Sequence, residues 1–357
     1  MLRIIAYLYP QAPFSNNIPR SDTLFGALAW TIRLLYGRKE LESLLEEFDH
    51  SIEKDTTPPF LISSLNVFFE DKNCRVLFFP RPMLPPPKLN IDDEQKYAKV
   101  KKFKKTSLLS RVLFEKLLAG ELTEQQIIDK LGKDYFDHAG ALLSKEEYEQ
   151  VRTIKSLLYN GEIARNTLNR LSFSTAPSEH GQLFYQKVVS TTCIPKLNIR
   201  TGLFLLIDAT EKYDQMLKSA LFYICQKGIG GDTTIGRGHC EVSFEKNSLS
   251  LPQNGSRRVA LSLFHPNEVD RRELKSRLSE VYGQLERRKG FLETSYLSEV
   301  AQVWKPTLLS FKEGSSFPDY GRKVYGALYK ESKQRPSLDY KVRIYGLAYT
   351  VAMREAL

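Results

Sequence analysis

GIGGDTTIGRGHCEV, residues 228–242, packs five glycines into its first eleven positions and then turns into strand-like sequence. So bare a backbone suggests a phosphate cradle, and two nucleotide-binding signatures can be tested against it. A Walker loop begun at Gly231 reaches Gly236 in register, then meets Arg237 where a lysine belongs and Gly238 where a magnesium-binding hydroxyl belongs. A dinucleotide fingerprint begun at Gly228 and Gly230 fails at Thr233, where a third glycine is needed. That fingerprint also opens a helix after a strand. Here residues 211–227 carry Met216, Leu217, Ala220, Leu221 and Ile224 at helical spacing, and HCEVSFEK after the loop reads as a strand. The loop joins a helix to a strand, and it is not a mononucleotide site.

Working outward, TGLFLLIDAT before that helix is a strand. Strand, helix, glycine loop and strand form the closing half of a βαββαβ, ferredoxin-like unit. The opening half is a first strand at about 2–9 and the helix SDTLFGALAWTIRLLYG, with Ser21 as cap, Asp22 at its positive end and Gly37 at its stop. FLISSLNVFF and NCRVLFFP pair around the turn EDKN. After a polar linker at 247–256 the pattern restarts with RRVALSLFHP and a helical stretch, and further strand-like segments finish the chain. The expected fold is α+β: two ferredoxin-like (RRM-like) domains, 1–246 and 257–357, each burying its own core. An insertion at about 81–200 carries a basic, partly helical segment and a β-hairpin arm near 165–190.

The chain has 357 residues, 42% hydrophobic and 26% charged, as in ordinary globular proteins. Its formal charge of +10 favours a polyanionic partner, RNA or DNA ahead of membrane. Cys74, Cys193, Cys225 and Cys240 form no Cys-x-x-Cys pair, which excludes a disulfide framework or zinc knuckle and suits a reducing cytoplasm. No stretch approaches the roughly 18 apolar residues of a membrane span.

Several residues are candidates for RNA contact. In the loop, backbone N–H groups around Gly228, Gly230, Gly231, Gly236 and Gly238 can approach phosphate oxygens, with Thr233 and Thr234 adding hydroxyls and Arg237 a bidentate cation. The alternative is that the glycines only permit a tight turn. His239 could touch a phosphate, stack on a base, or do neither. Arg20 and Ser21 stand at a helix N-terminus, a ready phosphate site; plain capping is the alternative. Lys99, Lys101, Lys102, Lys104 and Lys105 belong to a run of six lysines at 96–105 without an acid, a flexible phosphate-binding arm or a solvated loop. Arg165, Asn166 and Arg170 lie on the expected hairpin with no nearby acid. RRKGFLETSY (287–296) begins like an RNA-recognition signature but has Leu292 and Glu293 where a small residue and an aromatic are needed, so sheet stacking is not expected.

Catalytic patterns are missing. The five histidines, His50, His138, His180, His239 and His265, are dispersed; the two FDH tripeptides reverse the His-Asp order of metal phosphohydrolases, and no His-Glu-x-x-His occurs. No metal or cofactor is expected.

SDTLFGALAW after a first strand, the glycine loop, LSLFHP opening a second unit, RRKGF, SFKEGSSF and the terminal YGLAY resemble, in that order, subunit four of the Csm complex. That family, within the RAMP superfamily, serves the type III-A CRISPR effector, and the resemblance covers most of the chain. It implies a non-catalytic, cytoplasmic RNA-binding scaffold for antiviral defence. Such a subunit would hold the 5′ tag of the crRNA and dock a large polymerase-like subunit onto a filament of backbone RAMP subunits. The glycine loop alone would fit two other readings. One is a metal-independent endoribonuclease processing CRISPR precursor RNA, with His239 as acid or base; the other is the equivalent subunit of a type III-B (Cmr) complex.

Overall fold

A computed structural model of the chain describes residues 1–87, 94–166, 183–292, 304–331 and 340–355. The first strand, Leu2–Pro10, sorts the molecule into layers. Its Ile4, Ala6 and Leu8 point into one core, and Ile5 and Tyr7 into another on the opposite face, as the period of two requires. It lies between Ile199–Ala209, in register from Leu2↔Ala209 to Leu8↔Leu203, and Cys240–Lys246, from Ile4↔Lys246 to Pro10↔Cys240. Asn66–Glu70 pairs with the far side of Ile199–Ala209. These four antiparallel strands take the order 4-1-3-2, counted along a strand–helix–strand–strand–helix–strand chain, as read in the sequence.

The sheet then extends through Arg75–Pro80, Leu108–Ser110, Ala141–Ser144 and Tyr135–His138, and Phe60–Ile62 and Cys193–Ile194, both paired with Ile199–Ala209, bring it to ten strands among the described residues. Helices Ser21–Tyr36, Arg38–Lys54 and Glu211–Lys227 cover one face. The inserted helices Glu94–Lys105, Arg111–Ala119 and Glu124–Asp129 cover part of the other. The lysine run is therefore helix, where the sequence suggested a flexible arm. Val100 and Phe103, 4% and 3% exposed, pin it to the core, and Arg81 lies 4.4 Å over the Phe103 ring. A hairpin is present, but its first strand, Leu158–Asn166, lies earlier than the expected 165–190; it pairs with Leu183–Thr191 and is rooted on the short strand Phe14–Ser15.

The second half keeps small cores of its own, one around Phe264, Phe317 and Tyr325 and one around Leu308, Val342 and Ile344, and it also enters both cores of the first half. Its strands form small sheets: Arg257–Ala260 between Ser316–Pro318 and Thr350–Met353, Leu285–Arg288 with Leu308–Phe311, and Gly326–Lys330 with Arg343–Leu347. Tyr345 and Leu347 enter the core of the first helix, where Tyr345 stacks on Phe25 at 4.7 Å. Val259, Leu261 and Tyr349 enter the opposite core, and Tyr349 Oη donates to Asp208. Residues 247–256 are docked as well. The Ser248 carbonyl accepts from Arg111, the Ser250 N–H donates to Glu115, and Leu249 and Leu251 pack on the inserted helices.

Candidate nucleic-acid interface

The glycine loop has a neck and a tip. At the neck, Ile229 N–H donates to the Gly238 carbonyl at 3.0 Å, and Gly238 N–H to the Pro13 carbonyl at 3.0 Å. The strands of the neck come so close that a Cβ at Gly228 would sit 2.3 Å from the Arg237 carbonyl oxygen, and one at Gly238 2.1 Å from that of Ile229. Both residues also hold positive φ, +102° and +67°. These two glycines serve the turn itself. The tip is different: Gly230, Gly231 and Gly236 are exposed, and Thr233–Ile235 makes one 3₁₀ turn. Among the described residues, the N–H groups of Gly230, Gly231, Thr233 and Thr234 make no hydrogen bond. Four free donors on one exposed turn form a concavity that suits an anion.

Arg237 stands beside that tip, half-buried, its Nε without a partner and its guanidinium without a carboxylate among the described residues. His239 is also half-buried, its Nε2 3.5 Å from Gln226 Oε1. The sequence reading passed over Asp232. It takes a left-handed φ of +59°, and its carboxylate accepts from Ser15 Oγ at 2.6 Å and from the Gln186 amide of the arm. An acid in the loop thus ties the loop to the arm.

Other expected residues are placed differently. The Arg20 guanidinium is taken up by Glu286 and Glu313, each at 2.7 Å, and its side chain is 19% exposed. Ser21 is fully buried and caps nothing: its Oγ accepts from Leu263 N–H, while its own N–H donates to Ser64. Asp22 binds Arg288 through both carboxylate oxygens at 3.0 Å. These contacts brace the first helix against the second half. Burial alone would raise the Glu286 carboxyl, but the Arg20 hydrogen bond and charge outweigh it and hold the group below its ordinary value.

Above the brace lies a cleft of about 840 Å³ between the first helix, the loop tip and the second half. Lys227, Arg288, Lys289, Lys305 and Lys312 line it with Gly230, Gly231 and Thr233. Burial pushes the Lys305 ammonium down, with Asp22 partly opposing that, and no ion pair holds it among the described residues. At the rim, Phe291 and Trp304 pack with centroids 3.8 Å apart, and Lys289 sits 4.8 Å over the Trp304 ring. The run 287–289 was visible in the sequence as a basic cluster; Lys305 and Lys312 carried no signal, because only the fold brings them there.

Arg165 and Asn166 lie on the arm, and Arg165 Nε is buried without a partner among the described residues. Arg170 lies outside the described residues. Lys101, Lys102, Lys104 and Lys105 are exposed and unpaired among the described residues, but their helix packs on the face of the sheet opposite the first helix, beside Arg81. The structure does not gather them with the glycine loop. Among the described residues no three His, Cys, Asp or Glu side chains could share a metal, and no helix is long and apolar enough to cross a membrane.

No protein-family model matches the chain. The Thermococcus onnurineus (strain NA1) protein named CRISPR system Cms protein Csm4 is 24% identical over 255 residues, covering 70% of each chain. Among solved structures, a chain in the crystal structure of the Csm3-Csm4 subcomplex of the type III-A CRISPR-Cas interference complex matches with a TM-score of 0.61 at 19% identity, over 99% of both chains. A chain of the Csm1-Csm4 cassette in complex with pppApA matches with a TM-score of 0.58 at 17% identity, again over 99% of both. In sequence and in its mixed α+β fold, this chain is Csm4-like.

Proposed function

We propose that this chain is the subunit-four component of a type III-A CRISPR effector: a cytoplasmic, non-catalytic scaffold that holds the 5′ tag of the crRNA. The tag would lie along the interdomain cleft and the glycine loop. A large, Csm1-like polymerase-type subunit and a Csm3-like backbone subunit would flank it, the partners named with its structural relatives. The observation that carries this reading is the loop tip: its four N–H groups, unbonded among the described residues, stand with Arg237 nearby, and Gly230, Gly231 and Thr233 of the tip open into a cleft that Lys227, Lys289, Lys305 and Lys312 also line. Free donors and cations grip phosphates without reading bases, which is what a strand's fixed end requires. His239, whose ring makes its one hydrogen bond among the described residues to Gln226, adds no observation in favour of nuclease chemistry.

Purification of the tagged protein from its native cell, with sequencing of the RNA that comes with it, tests the proposal. Guide RNAs sharing one 5′ end, recovered with a large multidomain partner, are the expected result. Processed repeat fragments alone, with precursor cut by the isolated protein in EDTA, would refute the scaffold role. Arg237→Ala is expected to lower RNA affinity and to flatten its log–log salt dependence by about 0.7 for one lost single-strand phosphate contact. An unchanged slope returns the loop to a purely structural turn.

A further inference from the structure

Beside the phosphate-binding surface lies a pocket of a different character. It occupies about 410 Å³ between the hairpin arm and the glycine loop, and Arg165, Phe184, Tyr185, Gln186 and Asp232 line it. Tyr185 is 64% exposed and Phe184 47%, an unusual display of aromatic surface on one strand. Two buried polar atoms of the pocket's residues are orphaned among the described residues: Arg165 Nε, a donor, and Gln186 Oε1, an acceptor. The Gln186 amide cannot simply be turned over. Its Nε2 lies against Ser15 Oγ and the Asp232 carboxylate, and a carboxylate requires a donor there. Oε1 is therefore left facing elsewhere with nothing to accept. Buried donors and acceptors are costly to leave unmet, so a matched pair of orphans beside exposed aromatics points to a missing ligand.

The ligand's character follows from Asp232. A carboxylate that already accepts two hydrogen bonds still has acceptor capacity, but it repels a phosphate. A nucleobase fits where a phosphate does not. We propose that this pocket takes one unstacked base of the bound RNA. The base stacks on Phe184, which pairs across the hairpin with Arg165 and shares a face with Gln186; Arg165 Nε–H donates to a ring nitrogen or carbonyl, and Gln186 Oε1 with Asp232 accepts from an exocyclic amine. This rests on the RNA-binding reading above and adds base selection to a surface that otherwise contacts only phosphates. Cytosine, adenine and guanine carry an exocyclic amine. Uracil, like thymine, presents a carbonyl oxygen at the position of the cytosine amine, and that oxygen would face the carboxylate.

The cleanest test compares labelled cytidine and uridine octamers, equal in length and charge, binding to the full-length chain. Cytidine is expected to bind about tenfold more tightly. Phe184→Ala, at an exposed position that does not support the core, should weaken both octamers about tenfold through lost stacking. Gln186→Met and Arg165→Lys should bring the two affinities together while leaving the salt slope unchanged. Equal wild-type affinities, or a cytidine preference that survives both substitutions, would overturn the pocket and leave the RNA reading standing. Failure of either octamer to bind would overturn both.

Discussion

Gly238 and Gly236 sit two residues apart with similar positive φ, +67° and +83°, yet their surroundings separate them. A Cβ at Gly238 would lie 2.1 Å from the Ile229 carbonyl oxygen, so backbone must move; at Gly236 nothing lies within 4 Å. Gly236→Ala should cost only the left-handed conformation, about 1 kcal/mol. Gly238→Ala should cost well over twice that, about 3 kcal/mol, because it also breaks the neck. Urea midpoints at constant m-value measure both, and equal costs would mean that the neck is not the fixed point described here. The sequence announced a glycine loop, but it could not say which glycines make the turn and which leave donors free. That division depends on Pro13 and Ile229 arriving from other directions. Ser21 shows the same limit. Ser-Asp-Thr before an apolar run reads as a cap, and only the second half of the chain turns its hydroxyl into a buried bridge to Leu263.

At the scale of elements, local pattern was legible and partnership was not. The first helix and the helix before the glycine loop follow from apolar spacing and stop signals, and the structure has both, whereas of the hairpin expected near 165–190 the first strand lies earlier, at Leu158–Asn166. The lysine helix did not follow, because Val100 and Phe103 are too few among six lysines to give a strong periodic signal. Burial of those two side chains decides it. The brace between the first helix and Leu285–Arg288 was likewise hidden, since its partners lie more than 250 residues apart. It gives a pH signature. The depressed folded-state pKa of Glu286 contributes stability above its ordinary value of 4.5, and that contribution is lost as pH falls through the lower folded value. Glu286→Gln should therefore be less stable than wild type at pH 7, by about 1 kcal/mol for a pair that water partly reaches. The two stability curves should converge below about pH 4. Parallel curves down to pH 3 would show that Glu286 contributes no charge-dependent stability.

For the whole molecule, the two halves were read as separate domains because the chain restarts its strand pattern after a polar stretch. Their contents bind them instead. Phe25 stacks on Tyr345, Ile62 N–H donates to Tyr345 Oη, and Ser64 N–H donates to the Leu261 carbonyl. Val259, Leu261, Tyr349 and Val351 are each at most 5% exposed within a core shared with Ile5, Phe79 and Phe204 of the first half. Removing the second half would expose both faces of the shared sheet. A buried side chain of this size is worth about 1.5–3 kcal/mol, and several would be lost at once. That is comparable to the whole stability margin of an ordinary domain, about 5–15 kcal/mol, before the Arg20 and Arg288 pairs are also broken. A chain ending at residue 246 should therefore lose its near-ultraviolet circular dichroism, and the intact chain should melt in one transition with matching calorimetric and van't Hoff enthalpies. Two separated transitions, or a cooperatively folding 1–246 fragment, would show that the halves are independent after all. The cleft would then be a hinge, and the brace across it would have to hold the RNA site together without help from the core.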